Sequence, residues 1–183
     1  MLARREVVTL RALVDSVGTS TMAVYTHFGG MPGLWRAVRQ EGFTRLTDRL
    51  ARVDDTGDPV RDLMALGAAY ASNALTNPYL YRAMFDTTAD LENPAAADTG
   101  FQVLVAGAER ARQAGRFADS CDPLAVATQL WAAGHGQLML VLTGVLPRQA
   151  LDSLATGTAC ALFVAAGDDP ERCRRSVLDG WTL

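Results

Sequence analysis

The residues best suited to chemistry lie in one short stretch, VGTSTMAVYTHF, running from Val17 to Phe28. They are not a catalytic set. Thr21 and Thr26 can donate, accept or lay a methyl against a thymine, and Met22 and Ala23 add apolar surface, all of which suits base edges in the major groove of DNA. Tyr25 and His27 carry donors that suit phosphate oxygens. On a helix these side chains look outward or sideways, while Val24 and Phe28, four residues apart, turn inward with Val17.

The flanking residues supply what such a helix needs. Thr9 is placed to cap a first helix whose inner face is Leu10, Leu13, Val14 and Val17. Gly18 provides the positive φ of a tight turn and Ser20 caps the second helix. Two helices joined by about three residues have helix-turn-helix spacing, in which the second enters the major groove.

Charge agrees with that placement. All 17 basic residues are Arg, and isoleucine is absent, a bias we attribute to GC-rich codons. Residues 1–52 hold eight Arg against four acids, net +4, and residues 53–183 hold nine against sixteen, net −7, which together give the −3 of the chain. A basic head on an acidic body directs a polyanion to the first fifty or so residues. Cys121, Cys160 and Cys173 lie far apart without CxxC spacing, which argues for a reducing, cytoplasmic setting and against a metal ribbon. The first fifteen residues lack the apolar run of a secretory signal.

Punctuation by Gly, Pro and Asp predicts an all-α chain, with helices at 9–16, 20–27, 32–52, 59–75, 78–85, 98–114, 123–145, 148–166 and 170–177. Starts are marked by Asp58-Pro59, Asn77-Pro78, Asp122-Pro123, Pro147 and Asp169-Pro170, and stops by Gly18, Gly115 and Gly167. Thr87 to Ala97 reads as the one long loop. A change of charge sign inside RVDDTGDP divides a helix-turn-helix head, 1–52, with its linking helix 32–52, from a helical body, 53–183.

Residues 123–147 contain no charge and 149–167 contain only Asp152. Thr128, Gln129, His135, Gln137 and Thr143, with three glycines, make the first of these segments a poor membrane span. A homodimer interface built from helices 123–145 and 148–166, with Gly134, Gly136, Ala155, Gly157, Ala161 and Ala165 allowing close approach, is the better reading than a membrane hairpin.

A pocket between the body helices would be mostly apolar with a few orienting groups. Met64, Tyr70, Met84, Phe85, Phe101, Leu104, Trp131, His135 and Met139 are the candidates, although each taken singly suits an ordinary core. His135, one turn after Trp131 on an uncharged helix, could hydrogen-bond a ligand or close a buried polar network. No catalytic constellation, metal set or cofactor motif is present: the two histidines are far apart in the chain, no carboxylate pair has an apolar setting, and GTST lacks the Lys of a phosphate loop.

TLRALVDSVGTSTMAVYTHFGGMPGLWRAV resembles the DNA-binding segment of the tetracycline-repressor (TetR) family of bacterial regulators, through Gly18, Tyr25, His27, Phe28 and Leu34 at their intervals. LWAAGHGQLMLVLTG resembles the Trp-His-Gly carboxy-terminal domain of one branch, with Trp131, His135 and Gly136 in place. The resemblance implies a ligand-responsive regulator, most simply a repressor, whose homodimer binds palindromic operator DNA and releases it to a small, largely apolar effector. Base contacts then fall on Thr21, Met22, Ala23 and Thr26, phosphate contacts on Tyr25 and His27, and a base or backbone contact on Arg11, with the capping residues Thr9 and Ser20 completing the DNA-facing set. An impaired head on a dimeric small-molecule-binding protein is the alternative. Three departures from the family pattern stand out. Met31 occupies the place of an expected Lys, Val14 that of a small Ala, and only MLARREVV stands where a first helix of about fifteen residues is expected, so that either the true start lies upstream or the head has less cover.

Overall fold

The computed structural model describes residues 9–86, 91, 93 and 95–183, without the side chains of 96 and 97. Among the described residues the chain is all-α. The order is α1 (Leu10–Val17), α2 (Thr21–Phe28), α3 (Met31–Leu50), α4 (Pro59–Thr76), α5 (Pro78–Met84), α6 (Ala95–Gln113), α7 (Pro123–Leu142), α8 (Ala150–Ala165) and α9 (Pro170–Gly180). The MLARREVV segment lies outside the described residues, as do 87–90, 92 and 94 of the expected loop. That loop is shorter than its sequence suggests, since Ala95 to Ala97 already belong to α6.

Local chemistry sets most boundaries. Asp58, Asp122 and Asp169 each accept a backbone N–H of the following helix, and a proline follows each at the first helical position, where no N–H is needed. Gly18, Gly115 and Gly167 end their helices with positive φ. α7 stops at Leu142, three residues earlier than predicted, because Gly144 takes a φ of 79°. α8 starts at Ala150, a turn after Pro147, which leads into it through residues 148 and 149.

The body packs α4 against α6 and α9, with α7 and α8 as an adjacent pair. Its main core joins Val60, Leu63 and Met64 to Ala108, Phe117, Phe163 and Val177. α3 is shared between head and body, for its second half buries Phe43, Leu46 and Leu50 against Leu66 and Met84. Gly42 is the notch in this contact: a Cβ there would stand 2.3 Å from Met84 Cγ. No described helix is long and apolar enough to cross a membrane.

One charged cluster locks the body. The Arg116 guanidinium is almost wholly buried; its Nε and Nη2 donate to the two Asp168 carboxylate oxygens at 2.7 and 2.8 Å, and Nη1 to Asp58. The Ser176 hydroxyl donates to Asp58 Oδ2 at 2.6 Å, while Asp58 Oδ1 caps α4 by accepting from the Val60 and Arg61 amides. Burial alone pulls the Asp58 carboxyl up, but the Ser176 hydroxyl, the Arg61 amide and Arg116 outweigh it and hold it below its ordinary 3.8. A carboxylate depressed in this way adds stability that is present above 3.8 and lost as pH falls through the folded value. Asp168→Ala, which strands the buried guanidinium, is expected to cost about 3–5 kcal/mol in urea denaturation.

Candidate functional site

In the head, α1 and α2 meet through buried Val14 and Val24. Thr9 Oγ1 accepts from the Ala12 amide at 3.3 Å, and Ser20 Oγ from the Ala23 amide at 3.2 Å, so both are occupied as caps. Thr21, Met22, Tyr25, Thr26 and His27 are exposed together along α2, Ala23 is half-buried among them, and Arg11 is exposed on α1. Met22, at 71%, is the most exposed of the large apolar side chains among the described residues. The α2 surface therefore offers two hydroxyls, a thioether, a phenol and an imidazole to a partner, which is chemistry for groove edges and phosphates.

Two inward residues are not inward. Val17 is 66% exposed and Phe28 38%, because the head's described core rests on α1, α2 and the start of α3, and none of these covers that side. Phe28 meets the His27 ring edge-on, with centroids 6.4 Å apart.

In the body, a cavity of about 520 Å³ runs between α3, α4, α6, α7 and the carboxy-terminal Trp181. Seven of the nine residues expected from the sequence line it: Met64, Tyr70, Met84, Phe85, Phe101, Leu104 and Trp131. The wall also includes Arg39 and Asp98, the only charged residues among those lining it, and Gln137, Thr158 and Trp181. Sequence pattern missed these. Arg39 reads as one more arginine of a basic head, and Trp181 stands beyond the last predicted helix.

His135 and Met139 stand outside the lining. Met139 packs beside Leu138 and Leu151. His135 instead closes a polar cluster behind the wall, its Nδ1 2.7 Å from Tyr81 Oη and 3.1 Å from Tyr70 Oη, with the two phenols 2.8 Å apart. Its ring meets that of Phe85 edge-on at 4.4 Å between centroids. Burial lowers the His135 pKa, so the imidazole is neutral and Nδ1 can accept. Either phenol can donate to the other and either can donate to the imidazole, and burial raises the Tyr70 phenol to about 12, with the Tyr81 hydroxyl and then the Trp131 indole offsetting part of that rise. Burial lifts the Tyr81 phenol further, and Tyr70 adds to that rise. The cluster ties α4, α5 and α7 together beside the cavity. Among the described residues no group of His, Cys, Asp and Glu could hold a metal ion.

Residues 63–162 match a family model described as tetracyclin repressor-like, C-terminal domain, a span that holds Trp131, His135 and Gly136. No curated protein matches the chain. Among solved structures, a protein with unknown function from Rhodococcus sp. RHA1 is similar at 25% identity and TM-score 0.73, covering 88% of this chain and 86% of that one. A TetR family transcriptional regulator, PfmR from Thermus thermophilus, shares 17% identity at TM-score 0.71, with 88% and 90% covered. RolR, solved without ligand, shares 16% at TM-score 0.57, with 93% and 85% covered; at these identities both likenesses speak to the fold.

A histidine whose folded pKa is lowered favours the fold in its neutral form, so its contribution is complete above 6.5 and declines as pH falls below that value. Thermal melts of the native chain are expected to weaken on going from about pH 7.5 to about pH 5.5, and His135→Gln to flatten that part of the profile.

Proposed function

The chain belongs to the tetracyclin repressor-like family of transcriptional regulators, and on that premise we propose that it is a cytoplasmic repressor whose homodimer holds palindromic operator DNA and lets go when a small, largely apolar effector fills the body cavity. The observation that carries the reading is the join between the two candidate sites. α3 leaves the head behind α2 and, twenty residues later, ends in the wall of the cavity.

Thr21, Met22, Ala23 and Thr26 are the base-reading residues in this proposal, and Tyr25, His27 and Arg11 meet phosphates or a guanine edge. α7 and α8 supply the second-copy contact. Their outer side carries Leu124, Leu140, Leu154 and Val164, all exposed, and a Cβ built at Gly136 or Gly157 meets nothing within 4 Å. A twofold axis there sets two recognition helices in successive major grooves.

Coupling has a concrete route. Met84 lines the cavity and sits in the Gly42 notch, and Arg39 Nε of α3 donates to the Met84 carbonyl oxygen at 3.1 Å. An effector that prefers one position of Met84 and Phe85 biases the tilt of α3, and only that difference in affinity can move the head. The exposure of Val17 and Phe28 favours a second reading, a dimeric binding protein whose thin head grips DNA poorly.

Selection of genomic fragments followed by binding assays across a salt series separates the two. The repressor reading expects one palindromic family of sites, and it fails if the chain shows no preference over bulk DNA at about 0.1 M salt. Thr26→Ala should lower affinity for the selected site by about 1–3 kcal/mol and leave bulk binding nearly unchanged. Ala161→Arg, which sets a charge in the exposed apolar side of α8, should yield monomers in sedimentation and abolish operator binding with them.

A further inference from the structure

The cavity wall is almost entirely apolar, and its uncharged polar side chains are engaged in hydrogen bonds. Thr128 donates to the Leu124 carbonyl oxygen at 2.7 Å, Gln137 to the Thr158 hydroxyl at 2.9 Å, and the Trp181 indole to Asp152 at 3.0 Å. Tyr70 is held by Tyr81 and His135. Arg39 differs. Its Nε is fixed on the Met84 carbonyl oxygen, which orients the planar guanidinium, while no hydrogen bond or ion pair uses its two terminal nitrogens among the described residues. Asp98, the other charged residue of the lining, is exposed in the first turn of α6.

We propose that the cavity binds an apolar monocarboxylic acid, its carboxylate on the terminal N–H groups of Arg39 and its body extended along Phe85, Phe101 and Trp131 towards Trp181. This rests on the reading of the cavity as the effector site and names the chemical class. Two parallel N–H groups match a carboxylate's two oxygens, and a charge-assisted bond is about twice as strong as a neutral one, more so where apolar walls exclude water. An alcohol of the same shape satisfies one donor and leaves the other without an anion. A second negative charge on the ligand finds no other cation in the wall to pair with. The aromatic rings give the body its seat: Phe101 and Trp131 stand 5.8 Å apart between centroids, and Phe85 and Trp131 6.4 Å. The chosen nitrogen is also on α3, so the carboxylate engages the same side chain that holds Met84.

The test compares acids with neutral isosteres by calorimetry and tryptophan fluorescence, on the full chain without DNA. The probes are naphthoate against naphthol and decanoate against decanol near neutral pH. The proposal expects at least one acid to bind about tenfold or more tighter than its alcohol, the ratio that one charge-assisted bond makes. It expects Arg39→Gln to bring that ratio close to one, with the alcohol's affinity kept, and Arg39→Lys to restore part of it. Retained alcohol binding in Arg39→Gln shows that the cavity is still formed. The aryl and alkyl arms tell a flat ring system from a chain. Alcohols binding as well as acids, a ratio that Arg39→Gln leaves unchanged, or no binding by any of the four at about millimolar concentration each overturn it. Operator release is scored separately. Acid binding through Arg39 without release keeps this inference and sinks the effector-gated reading, whereas release by a neutral compound does the reverse.

Discussion

The body hangs on one buried guanidinium. Arg116 lies just past α6, yet its bonds reach the start of α4, the turn before α9 and α9 itself. A charge buried like this is costly to desolvate, and only complete pairing offsets it. Here the pairing is complete because its partners are themselves held in place by further bonds. Asp58 also caps α4, and Ser176 both receives Arg116 and donates to Asp58. α9 can therefore lie tightly on α4, so tightly that a Cβ at Gly180 would stand 2.3 Å from the Arg61 carbonyl oxygen. With α4 fixed at its amino end, its other end is free to build the cavity wall. The arginine is a spatial reference for everything above it.

The Tyr70–Tyr81–His135 cluster ties α4 to α5 and α7 with three short polar contacts in otherwise apolar surroundings. α5 in turn offers Met84 to the α3 notch, and Met is the side chain that adapts most readily to a changed shape. Head and body then share α3 but little else. In the proposed mechanism the buried ion pairs, the polar cluster and the Met84 wedge stand in series, so that a change of cavity contents would reach α3 sooner than α9.

How much of this was legible in the sequence depends on the range of the interaction. Caps and glycine stops act within a few residues, so Asp58, Asp122, Asp169, Gly18 and Gly167 announce themselves in the chain. Seven of the nine residues named by apolar or aromatic type line the cavity, whereas other wall members such as Phe43, Leu66 and Leu151 look like ordinary core in the sequence. Arg116 was not, because Asp168 lies 52 positions away and nothing local marks their meeting. Tyr81 escaped for a similar reason, its partner His135 being on another helix. Val17 and Phe28 were misjudged because helical periodicity gives a direction without saying whether anything stands there. Arg39 is not marked out in the sequence, which does not tell a solvated arginine from one that lines a cavity.

α7 shows why hydropathy was a poor guide here. A helix without charge on any side is normally either wholly buried or in lipid. This helix is neither within one copy of the chain: Val126, Ala127 and Leu138 face the core, Trp131 and Gly134 face the cavity, and Leu124 and Leu140 face outward. The two inner roles leave one side of it over. That side is uncharged, lies next to an equally uncharged side of α8, and is flat enough at Gly136 and Gly157 for another backbone to approach. Charges are absent there for the same reason that they are absent from a core, since a side chain that must leave water on assembly carries the desolvation cost of its charge. The uncharged sequence of α7 therefore answers to three sides, the core, the cavity and an outer side that the proposed contact with a second copy would cover.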